Sequence, residues 1–517
     1  MGNVMKSKLG LLATLAFALL PGLALLPGHG LAQDKGGVIN VATIGEPPTL
    51  DPMASTADLV GMTTQHIFET LFTFDDKWNV IPLLAETMPT ISDEGKTYDI
   101  TLRAGVKFHD GSVMTSADVV ASIERWLATA SRGKQVVAYI DKVTAQGDNA
   151  IRITLKKPYA PLLSLLAFNN SAAVIIPKST IADPLTKFIG TGPYMLKERK
   201  PDQYIQLVRF DGYKPRTDAA NGFGGARKAI LDEIRFIPVP DANTRLEGAV
   251  SGQFDYTDSL APESYDRLKG SKASDPVVLK PYGAPVFVMN TKQGIMTSKT
   301  LRHAVQVALN PQDMLLAAFG NPEFFAVDGA IYPEGYAWHT KEGIARYGSG
   351  DPEAAAKLMK EAGYDGKPVR ILTSRQYEFH YKMAQVAAEY LKAAGFKVDL
   401  QIYDWATLTT RRADPALWDI FITHGPFPPE PVLNGWMSDS YPGWWSTPEK
   451  TKAIEPFIAE SDPAKRQKLF TEIQKTFYED APVFKVGDFN ALSAKAKTLE
   501  GFHPSPWPYF WNVSSKK

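Results

Sequence analysis

The stretch that most constrains the fold lies between residues 350 and 425. Asp351-Pro352 opens a helix, with aspartate as cap and proline in the first turn, and Gly363 ends it. Val369 to Leu372 reads as a strand, and Phe379 to Ala394 as a helix stopped by Gly395. Val398 to Ile402 reads as a second strand, and Asp419 to Ile422 as a third. Strand, helix, strand in that order predicts a parallel sheet with helices on its faces. Ligands of such sheets gather beyond the carboxyl ends of the strands, here Thr373–Gln376, Tyr403–Trp405 and Thr423–Pro431.

The remainder of the chain is also mixed α/β. Val38 to Ala42 reads as a short buried strand, followed by a proline-rich loop from Gly45 to Pro52. Tyr98 to Leu102 is a strand pattern and His109-Asp110-Gly111 a turn. Thr115 and Asp118 form a capping box for a helix whose apolar face carries Val119, Ile123, Trp126 and Leu127. Tyr194 to Leu196 and Tyr204 to Phe210 read as paired strands. At 517 residues the chain exceeds one compact core, so two or three lobes are expected.

Residues 1–32 have a secretory layout. Lys6 and Lys8 precede an apolar run from Leu9 to Leu26, broken by Pro21 and Gly22, and Gly30-Leu31-Ala32 supplies small residues for cleavage after Ala32. The rival reading, an uncleaved anchor, is disfavoured by Pro21 and Pro27 in so short a run. The sequence holds no cysteine, so neither disulfides nor a lipidated cysteine are expected, and the reading is a freely diffusing periplasmic protein of a Gram-negative cell. Basic and acidic residues number 56 each, which argues against a nucleic-acid or anionic-membrane surface.

Catalytic motifs are sparse. Past residue 32, the histidines are His66, His109, His303, His339, His380, His424 and His503, and no two are four residues apart on a helix. There is no phosphate-loop or G-x-S-x-G pattern. Ser131-Arg132-Gly133-Lys134 matches S-x-x-K, but S-D-N and K-T-G are missing, so an ordinary polar loop is favoured. His109-Asp110 is explained by turn chemistry. Tryptophans are concentrated in the last quarter, among them Trp405, Trp418, Trp436, Trp444, Trp445, Trp507 and Trp511. Trp405 follows a strand aimed at the expected cleft, where an aromatic wall for a ligand competes with core packing.

Several segments resemble one family. They are Thr49-Leu50-Asp51-Pro52; Phe68-Glu69-Thr70-Leu71-Phe72; and Leu102 to Gly111 followed by Thr115 and Ala117-Asp118-Val119-Val120. Gly190-Thr191-Gly192-Pro193-Tyr194 and Leu301-Arg302-x-Ala304 extend the likeness over essentially the whole chain past residue 32. The family is the peptide- and nickel-binding solute-binding proteins of ABC importers, extracellular solute-binding protein family 5.

The resemblance implies a periplasmic binding protein fold of type II, α/β, with two ligand-binding lobes joined by a hinge and an inserted extra lobe. Lobe I is expected from 33–70, 190–285 and 486–517, the inserted lobe from 71–189 and lobe II from 286–485. Hinge candidates are Tyr282–Pro285 and Val486–Asp488. Arg375 resembles the arginine that takes a peptide carboxylate in dipeptide binders, and Trp405 in Tyr403-Asp404-Trp405 a pocket wall. The aspartate that takes the ammonium in those proteins has no counterpart in Thr423-His424-Gly425-Pro426-Phe427-Pro428-Pro429-Glu430-Pro431, where Glu430 matches a later position. Ligand-facing candidates are thus Arg375, Trp405, His424, Glu430 and Trp436, with Phe287, Asn290 and Ser55 completing the set. The partners implied are a small solute (peptide, opine-like conjugate or related compound) and an inner-membrane ABC permease. A monomer without cofactor or metal is expected. The competing classes are an exported hydrolase and a periplasmic chaperone or sensor on the same fold.

Overall fold

In the computed structural model, residues 36–516 are described; the expected signal segment, 1–32, lies outside them. The organising element is a mixed sheet. In order across it run Val398–Ile402, Val369–Thr373, Ile420–Pro426, Ser274–Met289, Asp488–Ala496, Tyr256–Leu260, Val38–Thr43, Glu233–Pro238, Tyr204–Arg209 and Tyr194–Lys200. The parallel unit expected from the sequence is present, because Val369–Thr373 pairs in parallel with both Val398–Ile402 and Ile420–Pro426. The helix Glu378–Ala393 covers this unit and buries His380, Met383, Ala384, Ala387, Ala388 and Leu391 along one face. Asp351 caps the preceding helix, Pro352–Glu361, by accepting from Ala354 N at 2.9 Å.

The strand Ser274–Met289 connects the two ends of the sheet. Its first half pairs with Asp488–Ala496, and from Gly283 onward it pairs with Ile420–Pro426. The register breaks between Leu279 and Gly283. A Cβ on Gly283 would lie 1.8 Å from Gly425 O, so the close approach of these strands requires glycine there. The second connection is the gap between Val483–Lys485 and Asp488–Ala496, where Gly487 has φ +157. A separate four-stranded antiparallel sheet is built from Thr90–Ser92, Thr97–Thr101, Ala150–Leu155 and Ile140–Ala145. The helix Ser116–Thr129 packs on it, and Asp118 accepts from Thr115 N at 2.9 Å to close the capping box.

Buried polar bonds account for the sequence motifs. Asp51 takes both ends of the Arg125 guanidinium, at 2.5 and 3.2 Å, and ties the Thr-Leu-Asp-Pro loop to the Ser116–Thr129 helix. Glu69 accepts from Thr191 and Tyr213, each at 2.9 Å, and pairs with Arg227, so one buried carboxylate holds three segments together. His109 accepts from Gly190 N at 3.3 Å and donates to Gly192 O at 3.0 Å. Gly190 and Gly192 are glycine because a Cβ would meet Ile67 O at 2.1 Å and His66 O at 2.4 Å. Arg302 donates to the carbonyls of Met296, Thr297 and Asp480. The Ser-Arg-Gly-Lys segment, expected as a polar loop, belongs instead to a short helix, Ser131–Val136.

Candidate ligand-binding site

Two adjoining cavities lie between the parallel unit and the N- and C-terminal parts of the chain. They share Asp58, Tyr377, His424 and Trp507 as common wall. Each comes from a different element. Asp58 starts the helix Asp58–Thr64, Tyr377 precedes the helix Glu378–Ala393, His424 lies on Ile420–Pro426, and Trp507 is near the C-terminus. Asp58 accepts from Trp507 Nε1 at 2.9 Å and from Asn170 Nδ2 at 3.1 Å.

The first cavity is cationic. Arg132, Arg412 and Lys485 line it, opposed by Asp58. Arg132 donates to Asn170 O and Leu433 O, each at 2.7 Å, and lies 4.4 Å over the Phe168 ring. Burial lowers its pKa to about 10, against the pull of Asp58. Arg412 donates to Tyr441 Oη at 3.2 Å and Thr56 Oγ1 at 3.1 Å. Among the described residues, neither guanidinium has a carboxylate within ion-pair distance. Lys485 differs, being paired with Asp488 at 2.5 Å. Burial raises the Asp58 carboxyl, opposed by its bonds to Trp507 and Asn170 and by the two arginines.

The imidazoles of His380 and His424 share a hydrogen bond of 2.9 Å, so one must donate and the other accept. Burial lowers His424 to about 3 and His380 well below its ordinary range. Both rings are therefore neutral at pH 7, and Tyr377 packs edge-on to His424 and to Trp405 at 4.6 and 5.0 Å. No group of three or more His, Asp or Glu able to hold a metal occurs among the described residues.

Three of the residues singled out from sequence line the first cavity: Trp405, His424 and Trp436. The others are placed differently. Arg375 is exposed and reaches neither cavity. Its guanidinium lies 4.4 Å over the Tyr381 ring and donates to Tyr381 Oη, which holds it outward while Gln376 and Tyr377 turn in. Phe287 points to the opposite face of its strand from the cavity-lining Val286, as the period of two dictates, and packs edge-on against Phe484. Asn290 is buried and donates to Pro415 O and Trp418 O at 2.8 and 2.9 Å. Glu430 is buried in a two-pronged bond to Arg466 at 2.8 and 2.7 Å, which uses up its charge. Ser55 lines a neighbouring opening that shares Thr56, Arg412 and Tyr441 with the first cavity.

Sequence reasoning missed Arg132, Arg412, Asp58 and Tyr377. Arg132 had a local signal, since Gly133 beside it allows the short helix to close on Trp126, where a Cβ would lie 2.0 Å from Trp126 O. Asp58 and Arg412 sit in segments without a motif, and Tyr377 directly follows the Thr373–Gln376 segment singled out from the sequence.

A mixed sheet bridged by the long strand Ser274–Met289, with two adjoining cavities walled from both of its ends, is suited to holding a small ligand. The model of the bacterial extracellular solute-binding proteins, family 5, matches residues 79–444. The chain belongs to that family. A probable peptide ABC transporter periplasmic-binding protein of Sinorhizobium fredii is 27% identical over 484 residues, covering 90% of this chain and 91% of its own. A glutathione-binding protein of Pectobacterium atrosepticum is 27% identical, covering 89% and 90%. In structure, the agropinic acid complex of a binding protein from A. tumefaciens R10 matches with a TM-score of 0.80 at 23% identity, covering 93% and 99%. An ABC transporter-associated periplasmic binding protein of Helicobacter pylori, in complex with a peptide, matches at 0.82 with 21% identity, covering 94% and 99%. These likenesses carry the fold.

Proposed function

We propose that this chain is the solute-binding component of an ABC importer and that its solute carries a carboxylate. The observation behind the carboxylate is the pair of buried guanidiniums, Arg132 and Arg412, facing one cavity without an acidic partner at ion-pair distance. Asp58 on the same wall offsets only one of the two buried positive charges, and an anionic ligand group would supply the other counter-ion. Peptides, glutathione and agropinic acid, the ligands named for relatives and neighbours, have carboxylates in common.

In this reading the solute is taken up between two lobes and handed intact to a membrane permease, without catalysis. The expected lobes, 33–70 with 190–285 and 486–517, 71–189, and 286–485, agree with the partner change of the long strand at Gly283 and with the separate sheet between Thr90 and Leu155. Hinge closure at Tyr282–Pro285 and Val486–Asp488 would bury the ligand. We also propose export through residues 1–32 to the periplasm as an unlipidated monomer. Among the described residues no helix is long and apolar enough to cross a membrane.

Native mass spectrometry of the protein purified from its host tests the reading. The expected result is a co-purifying small molecule with a carboxylate. A neutral sugar or a bare cation in its place overturns the carboxylate assignment.

A further inference from the structure

His424 stands where the two cavities meet, with one ring nitrogen committed to His380 and one left over. We propose that His424 carries its proton on that second nitrogen, Nε2, and donates it in a hydrogen bond to an uncharged oxygen of the solute, a carbonyl above all. His380 is the positioning residue that fixes this tautomer. The inference rests on the solute-binding reading above and adds a specificity-determining residue to it.

His380 lies on the buried face of the helix Glu378–Ala393 and is 0% exposed. Its Nε2 meets His424 Nδ1 at 2.9 Å, and its own Nδ1 is buried without a hydrogen-bond partner among the described residues. Burial keeps both rings neutral, so each holds a single proton and the pair has two arrangements. In the first, His380 donates from Nε2, its bare Nδ1 stays unpartnered, and His424 holds its proton on Nε2. In the second, His424 donates from Nδ1, and the proton of His380 sits on Nδ1 as an N–H sealed away from any acceptor. A buried orphan N–H is rarer in folded proteins than a bare acceptor, which selects the first arrangement. That arrangement also puts both rings in the Nε2–H tautomer, the one a free histidine side chain favours in water.

His424 is half-buried, and among the described residues the bond to His380 is the one hydrogen bond its side chain makes. Nε2 is therefore the ring nitrogen left for the solute. The rings of Tyr377, Phe379, Phe489 and Tyr282 lie 4.6, 5.0, 5.7 and 6.3 Å from the imidazole and make its surroundings apolar. A carboxylate placed there would lose its water to a neutral donor, whereas Arg132 and Arg412 on the wall of the first cavity offer it full charges. An uncharged carbonyl gives up far less water and matches a neutral N–H. A solute lacking such an oxygen would leave the donor unpaired, so the pair selects among solutes as well as holding one.

The test has two arms on the full chain. In the first, the histidine ring nitrogens are labelled with nitrogen-15 and read by NMR at pH 7, with His424→Phe and His380→Phe to assign them. The expected result is a protonated Nε2 and a bare Nδ1 in both rings, and His424 shifts that drift towards those of a free histidine in His380→Phe. A proton on His424 Nδ1 overturns the proposal, and because the tautomer is read on wild type it decides even where a variant melts early. In the second arm, a library of tripeptides, free and C-amidated, is passed over immobilised wild type, His424→Phe, His424→Gln and His380→Phe, and retention is read by mass spectrometry beside melting curves. His424→Phe keeps a ring and loses the donor, so it should retain about tenfold less, while His424→Gln restores an N–H and should recover most of the loss. His380→Phe should retain less than wild type. Undiminished retention in a normally melting His424→Phe, or no recovery in His424→Gln, overturns the proposal. C-amidated peptides held as tightly as free ones overturn the carboxylate reading and leave His424 as the donor. No retention of any tripeptide by wild type overturns the carbonyl assignment.

Discussion

Arg412 and Arg375 lie 37 positions apart in one region, and the fold gives them opposite surroundings. Arg412 is 7% exposed on the cavity wall, and Arg375 is in solvent. Losing a desolvated charge partner costs on the order of 2–5 kcal/mol of binding, whereas an exposed cation costs below about 1 kcal/mol. Calorimetry with the co-purified solute should therefore find Arg412→Gln weakened to that extent and Arg375→Ala indistinguishable from wild type. The reverse ranking would restore Arg375 to the site. At the same scale, Arg125 and Asp51 form a buried two-pronged pair. Arg125→Met leaves the Asp51 charge uncompensated, so urea unfolding should show a loss of about 3–5 kcal/mol. Asp51 and Glu69 stood out in the sequence as parts of motifs, and the structure gives them structural work. Of the residues lining the first cavity, Trp405, His424 and Trp436 were legible there, and Arg132, Arg412, Asp58 and Tyr377 were not. Asp58 meets Trp507 across 449 positions of sequence, and no local pattern encodes such a meeting.

Secondary elements were far more legible than the site. The cap at Asp351, the stop at Gly395 and the apolar face of Glu378–Ala393 are local chemistry, and the parallel unit follows from them. Strand facing was harder, because Phe287 is as apolar as its neighbour Val286 and the run is buried on both sides. Only the register of Ser274–Met289 against Ile420–Pro426 decides which of the two sees the cavity. The helix Ser131–Val136 is an element whose position depends on one glycine. In Gly133→Ala the new methyl would collide with Trp126 O and Leu127 Cα, at 2.0 and 2.8 Å. The helix must then move outward and carry Arg132 with it. A stability loss of about 1–3 kcal/mol, accompanied by weaker solute binding, is the expected outcome in thermal melts and titrations. Full affinity in Gly133→Ala would detach Arg132 from the solute.

Over the whole molecule, buried imidazoles should set the response to acid. His66 accepts from Phe510 N at 3.1 Å through Nε2, which ties the C-terminal segment to the N-terminal one, and burial lowers its pKa from 6.5 to about 3. Because its folded pKa lies below the unfolded one, the unfolded chain binds the extra proton. The contribution is complete above pH 6.5 and is lost as pH falls towards 3. Asp258 and Asp488, held up to about 6, act in the opposite sense as pH falls from 6 towards 3.8. Melting temperature against pH should therefore decline less steeply below 6.5 in His66→Gln than in wild type, and an identical slope would remove His66 as a cause. Solute at one hundred times its dissociation constant should stabilise the whole chain by about 2.7 kcal/mol. The central claim is capture without chemistry, and it is tested most directly by following the co-purified solute by NMR with an equimolar amount of protein for several hours. The account predicts one bound solute per chain, recovered chemically unchanged on denaturation. Steady conversion of that solute into a new compound would contradict it.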